Sequence, residues 1–264
     1  MSHHLVSMID VHYAYAGGSE VLGGVDFAIH HGESVGLVGS NGAGKSTLLL
    51  HLVGVLFPCR GEVRVGDWPV RPETLEQVRR SAGLVFQDPD DQLFMPTVEE
   101  DVGFGPRCQN LPEEEVEQRI RDALIWLGIL HLRQRPSHQL SGGERRAAAI
   151  ATVLAQSPDV LLLDEPTAGL DPQARRRVMS WIARFEHTRL VASHDLDLVL
   201  EVCERTIVLQ AGRVVADGPS LEVLGNEELL SRVGLELPLR LQGCPRCSKA
   251  PPAFTASERS SGPR

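Results

Sequence analysis

Lysine is scarce in this sequence of 264 residues: only Lys45 and Lys249 occur, and arginine supplies the other basic side chains. Lysine and arginine together number 26, against 35 aspartates and glutamates, so the formal net charge is −9. A protein whose main partner is DNA or RNA usually carries a basic excess or a basic stripe. This sequence carries neither, and the composition therefore argues against a nucleic-acid-binding protein.

Long apolar runs are also missing. No window of 18 apolar residues exists, so no membrane-spanning helix is expected. Residues 1–12 lack the charged-then-apolar order of a signal peptide. The five cysteines are odd in number and widely scattered, a pattern unlike a disulfide framework. These absences predict a cytoplasmic protein, although such a protein can still sit on a membrane protein.

What the sequence does contain is an alternation of strand and helix patterns, which predicts an α/β fold with a parallel sheet. The predicted strands are 5–12, 25–29, 34–38, 62–65, 83–86, 160–163, 190–192 and 206–209. The predicted helices are 46–53, 113–127, 142–156, 172–185 and 195–203. Residues 30–33 read as a hairpin-like turn between two strands. Residues 88–157 have few strand signals and are expected to form a helical subdomain, and residues 242–264 read as a disordered tail.

The strongest local signal is a glycine-rich segment between a predicted strand and a predicted helix. It comprises Gly39, Ser40, Asn41, Gly42, Ala43, Gly44, Lys45, Ser46 and Thr47. The segment fits G-x-x-x-x-G-K-[ST], the P-loop, in which backbone N–H groups and a helix N-terminus hold a phosphate chain. Lys45 is expected to reach the β- and γ-phosphates and Ser46 to ligate Mg²⁺. The sequence therefore predicts a nucleoside triphosphate site.

A second signal is the apolar strand 160–163, which ends in Asp164 and Glu165. In parallel sheets, ligands bind at the carboxyl ends of the strands. Beside a P-loop, Asp164 is expected to hold Mg²⁺ and Glu165 to act as the general base on the attacking water.

The third signal is Leu140-Ser141-Gly142-Gly143-Glu144. Ser141 and Glu144 can form a capping box, and the two glycines at a helix start can also leave N–H groups open to an anion. A P-loop protein with this pentapeptide before its acidic strand resembles the ATP-binding-cassette ATPases, over roughly residues 5–225. The resemblance implies a P-loop α/β core with an N-terminal antiparallel β subdomain and a helical subdomain. It also implies that Ser141, Gly142 and Gly143 contact the nucleotide of a second subunit.

Further site residues follow from the same resemblance. Gln87 matches the glutamine that senses Mg²⁺ and the attacking water, and His194 matches the histidine that contacts the γ-phosphate. Tyr15 resembles the aromatic residue that stacks on adenine, although Tyr13 competes for that assignment. Residues 168–171 match the loop that couples the two sites of a dimer, and Asp171 also fits a helix N-cap before Pro172.

More specific segments, at 85–94 and 98–106, resemble the ATPase of energy-coupling-factor importers, and residues 233–238 resemble its shorter cobalt or nickel members. The resemblance implies ATP and Mg²⁺ as cofactors, ATP hydrolysis coupled to transport, and attachment to the cytoplasmic face of the cell membrane. The implied partners are a second ATPase subunit, most simply a homodimer, a transmembrane coupling subunit and a substrate-binding membrane subunit. Vitamin import and a non-transport ABC ATPase remain the alternatives. Cys244 and Cys247 form a C-x-x-C pair, which can be half of a zinc site or a redox pair. No second ligand pair lies nearby in the sequence, so the alternative that the pair has neither role also remains.

Overall fold

A computed structural model describes residues 4–242 of the chain. The strands are β1 (His4–Ala14), β2 (Glu20–His30), β3 (Ser34–Val38), β4 (Arg60–Val65), β5 (Trp68–Pro69), β6 (Ala82–Val85), β7 (Val160–Asp164), β8 (Thr188–Ala192), β9 (Arg205–Gln210) and β10 (Arg213–Pro219). The helices are α1 (Lys45–Leu52), α2 (Leu75–Ser81), α3 (Val98–Cys108), α4 (Glu113–Trp126), α5 (Gly142–Leu154), α6 (Pro172–Arg184), α7 (Leu196–Val202), α8 (Ser220–Leu224) and α9 (Glu227–Arg232). The predicted tail, residues 242–264, lies outside the described residues except for Gln242, and its cysteine pair lies outside them too.

The strands form two sheets. An antiparallel sheet has the order β2-β1-β4-β5, and a larger sheet has the order β10-β9-β3-β8-β7-β6. In the larger sheet every pairing is parallel except that of β10 with β9. The predicted parallel α/β core and the predicted antiparallel β portion are therefore both present.

The expected hairpin between the second and third strands is wrong. β2 pairs with β1 in the antiparallel sheet, whereas β3 pairs with β8 and β9 in the parallel sheet. The physical reason is burial: β3 is buried at all five residues, so it needs a central position covered on both faces. β2 has exposed positions and suits the outer sheet. The turn at residues 30–33 carries the chain from one sheet to the other.

The parallel sheet separates two hydrophobic cores, and β7 shows how one apolar run serves both. Val160 and Leu162 face a core shared with α1 and the antiparallel sheet. Leu161 and Leu163 face the other core, which includes α5, α6 and α7. Successive side chains of a strand point to opposite faces, so a strand covered on both sides must be apolar throughout.

Between β6 and β7 the chain contains helices and irregular segments but no strand among the residues described. The helices there are α3, α4 and α5, within the segment predicted to be a helical subdomain. The alanine-rich face of α5 is buried in the same core as β7, which fixes this segment against the sheet. Within residues 4–242, no helix combines the length and the apolar character needed to cross a membrane.

Candidate nucleotide-binding site

Four parallel strands deliver their carboxyl ends to one open cleft with a volume of about 490 Å³. The P-loop follows β3, Gln87 lies shortly after β6, Asp164 ends β7, and His194 lies shortly after β8. The cleft is lined by Val21, Asn41, Gly42, Gly44, Lys45, Ser46, Thr47, Gln87, Asp164, Glu165 and His194. Most of the residues predicted for phosphate, metal and water thus meet in one place. Val21, at the start of β2, was not predicted.

Close backbone packing gives the P-loop its shape and its need for glycine. A Cβ built on Gly39 would lie 2.3 Å from the carbonyl oxygen of Leu209, closer than real Cβ atoms approach. Gly44 has a φ of +105°, a region that side-chain-bearing residues rarely adopt, and it stands at the N-cap of α1. Gly39 and Ala43 do not line the cleft but hold the loop in place. The loop therefore presents its N–H groups at a helix N-terminus, as an anion site requires.

Lys45 spans the inside of this loop. Its Nζ donates to the carbonyl oxygens of Gly39 at 2.8 Å and Ser40 at 3.3 Å. Burial lowers the pKa of Lys45, and the nearby carboxylates of Glu165 and Asp164 oppose that shift. The buried ammonium group of Lys45 can exchange these two carbonyl partners for phosphate oxygens.

Asp164 has the properties of a metal ligand. Burial raises its pKa, while a hydrogen bond from the Ser46 side chain and the charge of Lys45 oppose the rise. Its Oδ1 is buried and has no hydrogen-bond partner within the described part of the chain. A buried oxygen without a partner is costly unless something else binds it. Carboxylate, hydroxyl and amide oxygens suit Mg²⁺, so Asp164, Ser46 and Gln87 fit this ion.

Glu165 is buried and accepts two hydrogen bonds from residues that follow β8. Its Oε1 accepts the backbone N–H of His194 at 3.0 Å and lies 2.8 Å from His194 Nδ1. Its Oε2 accepts the hydroxyl of Ser193 at 2.9 Å. Ser193 is fully buried and was not predicted from the sequence.

The backbone of Glu165 is strained. Its φ is +43°, in the left-handed region that non-glycine residues seldom occupy. The Glu165 N–H donates to the carbonyl oxygen of Ala192 at 2.8 Å, which holds this conformation. Strain of this kind costs energy and is concentrated at functional sites. It turns the Glu165 side chain back toward the residues that follow β8.

A buried arginine, also not predicted, supports Gln87. Arg146 is 2% exposed and lies in the first turns of α5. Its guanidinium donates to the carbonyl oxygens of Phe86 at 2.7 Å and Gln87 at 2.6 Å. These charge-assisted bonds tie the segment after β6 to the helix that begins at Gly142. The Gln87 side chain is left exposed to the cleft.

The two candidate aromatic residues occupy different environments. Tyr15 is 45% exposed, and its hydroxyl lies 3.2 Å from the Thr47 hydroxyl at the edge of the P-loop. Tyr13 is half-buried and packs edge-to-face against both Tyr15 and His51. Tyr15 is therefore the more exposed of the two rings, as stacking on a base requires, and Tyr13 packs against it.

Ser141, Gly142 and Gly143 are not part of the cleft lining found among residues 4–242. Ser141 is the N-cap of α5 and forms a capping box with Glu144, so the predicted cap is present. A Cβ on Gly142 would meet nothing within 4 Å, whereas one on Gly143 would lie 2.8 Å from the Cβ of Ala174. Gly143 thus permits close packing on α6, and Gly142 leaves the helix start open.

The start of α5 instead borders a second, smaller cleft of about 150 Å³. Its lining includes Asp88, Pro89, Asp90, Gly142, Arg145, Arg146, Ala168, Gly169 and Leu170. The adjoining Asp171 caps α6 by accepting the N–H groups of Gln173 and Ala174 at 2.8 and 2.9 Å. The predicted coupling loop 168–171 therefore lies beside the start of α5.

A P-loop facing an aspartate–glutamate pair, with the serine–glycine helix start outside that cleft, defines an ATPase of the ATP-binding-cassette class. The family model described as ABC transporter matches residues 22–168. A protein of Geobacter sulfurreducens named as an ABC transporter ATP-binding protein is 60% identical over 94% of this chain and 100% of its own length. An energy-coupling factor transporter ATP-binding protein, EcfA, of Methanocaldococcus jannaschii is 42% identical, covering 89% of this chain and 86% of its own.

Two solved structures are similar in fold. One is cbiO1 of Clostridium perfringens, part of the ABC transporter complex cbiONQ. It has a TM-score of 0.78 and 37% identity, covering 88% of this chain and 95% of its own. The other is a dimeric ATP-binding cassette in a post-hydrolysis state with ADP and Pi. It has a TM-score of 0.73 and 28% identity, covering 81% of this chain and 98% of its own.

The chain belongs to the ABC transporter family and, within it, to the ATP-binding subunits of energy-coupling-factor type. Its activity is ATP hydrolysis coupled to transport, with ATP and Mg²⁺ as the bound species.

Proposed function

We propose that this chain works as a dimer on the cytoplasmic face of the cell membrane and powers an importer of cobalt or nickel ions. The cargo is suggested by residues 233–238, which resemble the end of the shorter cobalt or nickel ATPases. The similarity in fold to cbiO1, which is part of the complex cbiONQ, supports an assembly with membrane subunits.

The observation that carries the proposal is the division of the site. One cleft contains the P-loop, the proposed metal ligand Asp164 and the proposed base Glu165. Ser141 and Gly142 are exposed outside this cleft, and Gly142 borders the second, smaller cleft. A second copy placed head to tail would bring its own helix start over this nucleotide. Two identical chains would then complete two sites, in agreement with the dimeric solved cassette.

The polar groups of the cleft have proposed roles in phosphoryl transfer to water. The P-loop N–H groups and Lys45 hold the β- and γ-phosphates. Ser46, Asp164 and Gln87 would hold Mg²⁺, and the bound ion would neutralise charge that develops on the phosphates.

The proposed catalytic residues lie after β7 and β8. Glu165 orients the attacking water and takes its proton at a carboxylate oxygen. His194, whose Nδ1 lies 2.8 Å from Glu165 Oε1, contacts the γ-phosphate. Ser141 and Gly143 of the second copy hold that phosphate from the other side.

Transmission to the membrane is proposed to occur through a patch after Gln87. Phe94 and Phe104 are 63% and 45% exposed and pack edge-to-face with centroids 5.0 Å apart. Exposed Asp88, Asp90 and Asp91 precede them, whereas Leu93 belongs to the core. An acidic rim beside an apolar patch suits a membrane-subunit helix that carries arginine and small apolar residues.

The test is uptake by cells that express this chain with its membrane subunits. Labelled cobalt, nickel and water-soluble vitamins are supplied separately, and the Glu165→Gln variant serves as the non-hydrolysing control. ATP-dependent uptake of a metal ion, lost in the variant, is the expected result. Uptake of a vitamin alone would replace the proposed cargo with the vitamin alternative.

A further inference from the structure

Four residues beside the P-loop form a closed circuit of contacts, here called the aromatic brace: Tyr13, Tyr15, Thr47 and His51. The Tyr15 hydroxyl lies 3.2 Å from the Thr47 hydroxyl. The ring of Tyr15 packs edge-to-face on Tyr13 with centroids 5.0 Å apart, and Tyr13 packs in the same way on His51 at 4.7 Å. His51 Nδ1 closes the circuit at 2.7 Å from the Thr47 carbonyl oxygen.

The protonation of His51 follows from its surroundings. The side chain is fully buried, and burial lowers its pKa, so the imidazole is neutral. A carbonyl oxygen only accepts, so the proton is on Nδ1, and His51 donates to Thr47. The brace is therefore held at both ends by one residue, through the hydroxyl and the carbonyl of Thr47.

At this buried position, histidine is less favourable for stability than an apolar side chain of similar size. Its Nε2 is buried and has no hydrogen-bond partner among residues 4–242. A buried acceptor without a partner is destabilising, and an apolar side chain of similar size would avoid that penalty. The histidine thus gives a less stable core than leucine would, but it gives Tyr13 a fixed aromatic neighbour.

Tyr15, the exposed member of the brace, lies beside the nucleotide cleft, because its hydroxyl contacts Thr47, which lines that cleft. Tyr15 is 45% exposed and lies at the edge of the loop whose N–H groups hold phosphates. An aromatic side chain attached only by its own rotatable bonds would lose conformational entropy on stacking against a base. A ring that is already held by a hydroxyl contact and an edge-to-face contact loses less, which raises affinity.

We propose that Tyr13 and His51 are positioning residues that hold the ring of Tyr15 ready to stack on the base of ATP. This inference rests on the proposed role of Tyr15. It adds two residues that never touch the nucleotide and a physical reason for their identity.

The test compares two ligands that differ in the base. Isothermal titration measures the Kd of Mg-ATP and of Mg-tripolyphosphate, which has a triphosphate chain but no base. In His51→Leu, which loses one aromatic pair, the Kd for ATP should rise about fivefold, and in Tyr13→Leu, which loses two, it should rise at least as much. The Kd for tripolyphosphate should stay within about twofold of wild type, because the P-loop is unchanged. The unfolding temperature of each variant is recorded to verify that it folds.

Two further variants sharpen the result. His51→Phe keeps an aromatic neighbour for Tyr13 but lacks the Nδ1 donor, so its ATP affinity should lie between those of wild type and His51→Leu. The double variant Tyr15→Leu/His51→Leu should bind ATP no more weakly than Tyr15→Leu alone, because His51 acts through Tyr15. Additive losses in the double variant would overturn the proposal.

The ligand comparison separates this inference from the function on which it rests. Equal losses for ATP and tripolyphosphate would mean that the brace only supports the P-loop, and unchanged ATP affinity would mean that it has no role in binding. Either result overturns the inference and leaves the ATPase function intact. A wild-type protein that binds neither ligand would overturn the proposed function itself.

Discussion

Replacement of Glu165 by glutamine removes the charge while keeping the shape of the side chain. The glutamine oxygen can accept the backbone N–H of His194, which Oε1 now accepts at 3.0 Å, and it keeps the 2.8 Å approach to His194 Nδ1. Its NH₂ group can donate to the Ser193 hydroxyl oxygen, 2.9 Å from Oε2. That hydroxyl has two lone pairs, so it can also keep the N–H of Asp195 at 3.0 Å. The variant should therefore fold and bind ATP like the wild type.

The catalytic effect should be large, because an amide cannot take the proton of the attacking water. Loss of a general base typically costs about 10²- to 10⁴-fold in rate. This range corresponds to about 3–5 kcal/mol of additional barrier. Ser193→Ala is the matched control: it keeps the carboxylate but removes one hydrogen bond, so turnover should fall by only about fivefold.

The assay is phosphate release at saturating Mg-ATP, with ATP affinity measured by titration. Size-exclusion chromatography in Mg-ATP should show a dimer of Glu165→Gln, because ATP is bound but not consumed. Turnover within a few-fold of wild type would refute the role given to Glu165. Loss of ATP binding would refute the argument that glutamine preserves the hydrogen bonds.

Three other predictions follow from the same geometry. Ser141→Arg and Lys45→Ala should each be inactive alone but regain turnover when mixed, because one site of the mixed dimer then carries neither change; no recovery would contradict the trans arrangement. Phe94→Ala and Asp91→Arg should weaken co-purification with the membrane subunit and reduce uptake while basal ATP hydrolysis persists, and normal assembly of both would place the coupling surface elsewhere. Burial raises the pKa of Asp101, whose Oδ1 accepts the N–H groups of Phe94 and Met95 at 3.0 and 2.9 Å. Because the pKa of Asp101 is higher in the folded than in the unfolded state, the free energy of unfolding falls as pH rises above about 4, the unfolded value. In urea unfolding, Asp101→Asn should show a weaker decline of this free energy with pH than the wild type.

Local patterns were sufficient for the central elements of this fold. The apolar run of β7 and the glycine-rich loop before α1 have signatures that depend on neighbouring residues alone. α4 is also local, since its apolar residues recur at helical spacing and are buried together. Because residues that follow parallel strands lie at the same edge of the sheet, the sequence alone also predicts that Lys45, Asp164 and His194 lie close together.

Other elements were missed because local and tertiary preferences conflict. α3 contains Gly103, Gly105 and Pro106, which are poor helix formers, yet Thr97 caps it and its buried face packs in the core. The hairpin expected at residues 30–33 failed for a related reason. A turn pattern predicts that the chain reverses direction, but it does not predict which sheet the next strand joins.

The sequence by itself determined which functional groups are present at the ends of the predicted strands. These are a phosphate-binding loop, a carboxylate proposed to bind Mg²⁺ and a candidate general base. Only the tertiary structure decided how those groups are held, because the supporting residues lie far away along the chain. Arg146 reaches Phe86 across 60 residues, Ser193 reaches Glu165 across 28, and Tyr15 reaches Thr47 across 32. These contacts depend on how the strands pair and how helices pack against the sheets, and a pattern of neighbouring residues does not predict either arrangement.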